Sequence, residues 1–192
     1  MSYVELIVVL SIFAAMSGIA IFNYGGFQDK VDIKNMAADI ASKIVEAQRS
    51  ALAGQWPPVD PTLISSGWKP SYGVHFFEPN IDNKNFIYFV DLDNNNNQYT
   101  GDPDCSDECL NIIKISKNNK ISALERCSNE DPGSCVSISD SLSITFQRPD
   151  SGATFVPDLP ATDNYVKITI SNDSESVSSY IKIYPSGRMQ VD

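Results

Sequence analysis

Met1-Ser2-Tyr3-Val4-Glu5-Leu6-Ile7-Val8-Val9-Leu10-Ser11-Ile12-Phe13 sets one acidic side chain, Glu5, at the head of an apolar run. No charged side chain follows between Leu6 and Gln28. As a helix that stretch is long enough to cross a bilayer. A carboxylate at the head of such a segment is costly in apolar surroundings and marks a functional position. The segment offers no Lys, Arg or His as a partner for Glu5. The nearest cation is the α-amino group of Met1, or that of a neighbouring copy. Residues 1–28 therefore read as a hydrophobic helix half long enough to span a membrane.

The run does not read as a secretory signal peptide, which has a basic start and a small-residue cleavage site. Here the start is acidic, and the run passes directly into Phe27-Gln28-Asp29-Lys30-Val31-Asp32. Beyond it, Ile33, Met36, Ala37, Ile40, Ile44, Ala47 and Ala51 recur at helical spacing, with Lys34, Asp39, Lys43, Glu46 and Arg49 on the other faces. Residues 29–54 thus form an amphipathic helix half whose apolar stripe packs on a sheet. Gly54 and then Pro57-Pro58 terminate it.

From residue 55 to residue 192 the signals are those of a β-rich head. Tyr72 to Phe77, Asn85 to Val90, Ser141 to Gln147, Tyr165 to Ser171 and Ser179 to Tyr184 are rich in β-branched and aromatic residues. Ile112 to Ile115 and Ile121 to Leu124 read as a hairpin. Pro149-Asp150-Ser151-Gly152 and Pro185-Ser186-Gly187-Arg188 read as turns. The fold class is α+β: a long N-terminal helix, apolar then amphipathic, packed on an antiparallel sheet. The 192 residues carry a net charge of −10, almost none of it in the apolar head. An acidic head argues against direct contact with nucleic-acid phosphates.

Four cysteines, Cys105, Cys109, Cys127 and Cys135, cluster in one loop-rich stretch. An even, clustered set in an exported chain reads as disulfides. Zinc knuckles usually have CxxC spacing, which is absent. A three-residue hairpin loop at Lys117-Asn118-Asn119 would set Cys109 opposite Cys127 and leave Cys105 for Cys135. The rival is local pairing, Cys105 with Cys109 and Cys127 with Cys135. The hairpin favours the nested pattern.

Asp91-Leu92-Asp93-Asn94-Asn95-Asn96-Asn97-Gln98-Tyr99-Thr100-Gly101-Asp102 is the candidate metal loop. Laid on an EF-hand loop, Asp91, Asp93 and Asn95 take the first, third and fifth positions. Asn97 supplies the seventh-position carbonyl, and Tyr99 and Asp102 take the ninth and twelfth. Hard oxygen ligands at alternate positions suit a structural Ca²⁺. Asn96 stands where the sixth-position Gly is usual, and Asp102 where a Glu is usual. The alternative is a solvated Asn/Asp-rich turn. His75 is the one histidine, and a lone histidine in a strand is usually structural. No nucleophile elbow, phosphate loop or dinucleotide fingerprint occurs, so the chain does not read as an enzyme. Asn172-Asp173-Ser174 is a glycosylation-type triplet.

The N-terminus resembles that of mature type IV pilins and pseudopilins, in which a basic leader is removed, the first residue is N-methylated and Glu occupies the fifth position. Met1 and Glu5 match. Phe22 stands where many pilins have Pro, and Gly18 and Gly25-Gly26 are the weak points left in the helix. Ala47-Gln48-Arg49-Ser50-Ala51, Ser143 to Gly152 and Tyr180 to Arg188 are loosely similar to segments of minor pseudopilin H and related minor pilins. The resemblance implies that Glu5 neutralises the Met1 amine of an adjacent copy while residues 6–22 bundle. It implies a major pilin, the structural subunit of a type IV pilus used for adhesion or motility. The alternative is a minor pilin or pseudopilin that primes or tips a type II secretion or DNA-uptake filament. The implied partners are further copies of the chain, the inner membrane before assembly, a prepilin peptidase and the pilus assembly machinery. The implied location is an extracellular surface filament. A third reading is a membrane-anchored, calcium-binding adhesion domain that never polymerises.

Overall fold

One helix, α1, runs unbroken from Tyr3 to Ala53 in the computed structural model. That model describes residues 3–58, 64, 69, 71–92, 97–101, 105 and 108–192, with the backbone alone at 20–25 and 132. No Pro interrupts the sequence before Pro57, and Glu5 lies in the first turn, where the helix dipole favours an acid. At about 1.5 Å per residue α1 is roughly 75 Å long. Its end follows from Gly54, whose φ of +62° suits glycine. Gly54 N–H donates to the Ala51 carbonyl and Gln55 N–H to that of Ser50, which is a Schellman closure.

Ten strands follow. They are β1 (Ser71–Phe76), β2 (Asn85–Val90), β3 (Cys109–Lys114), β4 (Asn119–Cys127) and β5 (Cys135–Ser137), then β6 (Leu142–Gln147), β7 (Ala153–Val156), β8 (Tyr165–Asn172), β9 (Ser178–Ile183) and β10 (Met189–Val191). They form two five-stranded antiparallel sheets, in the orders β3-β2-β1-β6-β7 and β10-β9-β8-β4-β5. The α+β class holds, with two sheets in place of the one expected.

The expected hairpin between β3 and β4 does not form. β3 pairs with β2 at the edge of the first sheet. β4 pairs with β8 and β5 inside the second. The chain changes sheets at Ile115–Asn118, where Ile115 N–H donates to the Lys84 carbonyl and Ile121 N–H to that of Asn83. Lys117 in this crossover is ion-paired with Asp32 of α1. β8 pairs with β4 from Asn119 to Cys127, whereas β3 has only six residues.

The core is continuous between α1 and both sheets. Met36, Ala37, Ile40, Ile44, Ala47 and Ala51 meet Tyr72, Val74, Phe76, Ile144 and Phe146 of the first sheet. They also meet Ile168, Ile170, Ile181 and Ile183 of the second. The stripe expected on residues 29–54 is therefore the buried face. Each Ile or Phe so covered contributes about 1.5–3 kcal/mol, and Ile44→Ala would cost about 2–5 kcal/mol through the cavity it leaves. Strand alternation turns Gly73 and His75 to the opposite face of the first sheet. There Ile87, Phe89 and Tyr99 form a second, smaller cluster, so β1 and β2 are buried on both sides.

Candidate functional site

The two halves of α1 differ in what covers them. From Ile33 onward the apolar stripe lies under the sheets. Before that, Leu6 is 51 % exposed, Ile7 49 % and Phe13 69 %, and Glu5 is exposed beside them. Met1 lies outside the described residues. Among the described residues no helix is long and apolar enough to cross a membrane. Side chains are described without a break to Ile19 and Phe27 beyond is exposed again, while in the sequence the uncharged run continues to Gln28.

The acidic loop leaves β2 at Asp91, whose N–H donates to the Ser71 carbonyl and whose residue is fully buried. Asp93, Asn95 and Asp102 lie outside the described residues. Asn97 adopts a left-handed φ of 58°. Its side-chain oxygen accepts the Ser71 hydroxyl at 3.2 Å and its carbonyl accepts the Thr145 hydroxyl at 3.2 Å. The Tyr99 ring lies against His75 and Phe89, with centroids 5.2 and 5.3 Å away. The Asn97 carbonyl thus accepts one protein donor, and the Tyr99 ring faces an aromatic cluster. Among the described residues no group of three or more His, Cys, Asp or Glu side chains is placed to hold a metal.

What does gather the described ends of this loop is an anion. Glu108 is buried. Its carboxylate accepts Leu92 N–H at 3.2 Å, Thr100 N–H at 2.9 Å and the Thr100 hydroxyl at 3.0 Å. Its backbone carbonyl accepts Val90 N–H at 2.9 Å. The sequence reading missed Glu108, which falls between two cysteines with no pattern to mark it.

All four cysteines are in disulfides, and the pairing is local. Cys105 bonds Cys109, and Cys127 bonds Cys135. The nested pairing is overturned by the sheet assignment, because Cys109 and Cys127 sit in different sheets. Cys127 and Cys135 are directly opposed on β4 and β5, with Cα atoms 4.1 Å apart.

His75 is structural in part. Its Nδ1 lies 2.8 Å from the Ser143 hydroxyl, and its ring meets Phe77 edge-on. Burial lowers its pKa from the ordinary 6.5 to about 4, so it is neutral at pH 7. Burial likewise raises the Tyr72 hydroxyl to about 12, helped by Tyr88. The Asn172 amide of the sequon is largely buried, donates to the Ser176 hydroxyl and accepts Val177 N–H.

Residues 47–51, 143–152 and 180–188 meet at the C-terminal end of α1. Gln48 reaches both turns, and Arg148 lies against Gly54. No family model matches the chain, and no curated protein or solved structure is significantly similar to it.

Proposed function

We propose that this chain is a pilin-like subunit that polymerises through α1, as the major component of a surface filament. One observation carries the reading: the apolar side chains described between Tyr3 and Ile19 of α1 stand uncovered, with Glu5 in the first turn. Contiguous apolar surface of this extent marks a partner site. Lipid tails cover it before assembly, and the same half of other copies covers it afterwards. Hydrocarbon does not solvate a carboxylate, so Glu5 requires a cation there. The Met1 amine of an adjacent copy supplies one and sets the register between neighbours. The head stays outside the bundle, because its helix stripe is already buried against the sheets.

Intact mass spectrometry and electron microscopy of filaments sheared from cells test this. The expected result is filaments made mainly of this chain, beginning at an N-methylated Met1, and their loss in Glu5→Ala and Glu5→Gln. A trace of the chain in filaments of another subunit makes it a minor or priming pilin. Surface display without filaments, unaffected by Glu5→Ala, defeats polymerisation and leaves a monomeric anchor.

A further inference from the structure

The two edges of the first sheet carry grooves of opposite charge. On the β3 side, a groove of about 320 Å³ runs between that strand and α1. Met36, Ile40, Phe86 and Ile113 give it an apolar floor, and at its rim Lys43 and Lys114 outnumber Asp39. On the β7 side, a groove of about 530 Å³ lies between that strand and residues 158–163. Phe155, Leu159 and Pro185 give it apolar walls, and its charged lining is Asp158 and Asp163, with no cation. Lys43 is ion-paired with Glu46, and Asp163 with Arg126. Lys114 and Asp158 are exposed and have no ion-pair partner among the described residues.

The two grooves cannot meet within one copy, because β3 and β7 are the first and last strands of the sheet. They also lie on opposite flanks of α1. The β3 groove takes in Asp39 and Lys43 of the helix. The β7 side reaches the helix at Gln48, which donates to the Ser151 carbonyl just before that strand. Lys43 and Gln48 are about 140° apart round a helix of about 3.6 residues per turn. Copies whose α1 helices run side by side in one direction therefore turn the β3 flank of one toward the β7 flank of the next. Like edges would face each other only between antiparallel helices.

On the reading that copies polymerise through α1, we propose that their heads dock head to tail, the β3 edge of one copy against the β7 edge of the next, with Lys114 paired to Asp158 across the contact. Charge selects a second copy as the occupant. Each chain carries a net charge of −10, so heads gathered by their helices repel one another. Setting the β3 rim against the β7 groove brings unlike charges together. It also covers both free sheet edges, which are surfaces prone to pair with another chain. A contact between two different patches passes from copy to copy and does not close at a pair.

The test uses filaments sheared from cells that make the full chain with Lys114→Cys and Asp158→Cys together, mildly oxidised and run on a non-reducing gel. The expected result is a ladder through dimer, trimer and higher species, with each single cysteine variant staying monomeric. Lys114→Glu and Asp158→Lys should each lower filament yield about tenfold. The combined reversal should restore it, which a folding defect would not allow. That charge-reversal arm decides the matter where the cysteine variants assemble poorly. Filaments of the double-cysteine variant with no ladder overturn the contact and leave polymerisation through α1 standing. So does a ladder that ends at dimer, a cross-link from either cysteine alone, or no rescue by the combined reversal. An absence of filaments from the unmodified chain defeats polymerisation itself, and this contact with it.

Discussion

The side-chain amide of Gln48 donates to the backbone carbonyl of Ser151, 103 residues further along, at 2.9 Å, and lies 3.5 Å from the carbonyl of Gly187. One helical side chain thus holds two turns that meet each other through Ala153 N–H and the Pro185 carbonyl. Gly187 sits at φ +80°, and a Cβ there would fall 2.2 Å from the Ser151 oxygen. Gln48→Ala removes an exposed hydrogen bond to Ser151 and a part-buried one to Gly187 and should cost about 1 kcal/mol. Gly187→Ala adds left-handed strain of about 1–3 kcal/mol to a backbone clash, so it should be the more damaging. Denaturant unfolding of the full chain in detergent, followed by near-UV circular dichroism, ranks the two. The reverse order would show that the turns are not locked together.

Glu108 should matter more to the acidic loop than any ion. Its carboxylate accepts three donors from the loop ends while buried. Glu108→Ala leaves those donors without their acceptor and should cost about 2–4 kcal/mol, with Glu108→Gln milder because one acceptor oxygen remains. Chelation of divalent ions should shift the melting temperature less than Glu108→Ala does. A larger shift on chelation would make Ca²⁺ the organiser of residues 91–102.

The strands were legible where their chemistry is local. Asn85–Val90 and Tyr165–Asn172 announce themselves through β-branched and aromatic residues. Their neighbours were not legible, since alternation in Ile112–Ile115 and Ile121–Leu124 marks a buried face and not the strand beside it. The short strands Cys135–Ser137, Ala153–Val156 and Met189–Val191 hold their shape through partners contributed by distant segments. The buried stripe of α1 was readable because helical periodicity belongs to one element. The partner of His75 was unreadable, because Ser143 is 68 residues away.

The Cys127–Cys135 bridge closes a short loop over the outer face of the second sheet. Tyr165 donates to the Asn129 carbonyl at 2.9 Å, and Lys182 pairs with Glu130. Chain-entropy reasoning gives such a loop about 2–3 kcal/mol. The Cys127→Ser/Cys135→Ser double variant should unfold at lower denaturant, yet keep β4 paired with β8 along its length. Hydrogen exchange of the Leu124 and Ile168 amides reads this directly. Fast exchange there under native conditions would show that the bridge holds the strand pair and not only the loop. Peptide mapping without reduction should recover Cys127 joined to Cys135, and a Cys109–Cys127 peptide would contradict the two-sheet topology.

His75 should make the head acid-sensitive over a defined interval. In the folded chain its pKa is depressed to about 4 by burial, against 6.5 when unfolded. The unfolded chain therefore takes up the proton first as pH falls. Stability from the neutral imidazole is complete above about pH 6.5 and is lost progressively toward pH 4. At pH 5 the loss should be about 2 kcal/mol, before most carboxylates titrate. His75→Gln keeps an amide donor but cannot take the proton, so its unfolding free energy should fall less between pH 7 and pH 5. Glu78 and Asp140 line a cleft with His75 and would favour the imidazolium if they came close enough to pair with it. Equal pH slopes in the two proteins would show that they do, and that burial alone does not set the charge of His75.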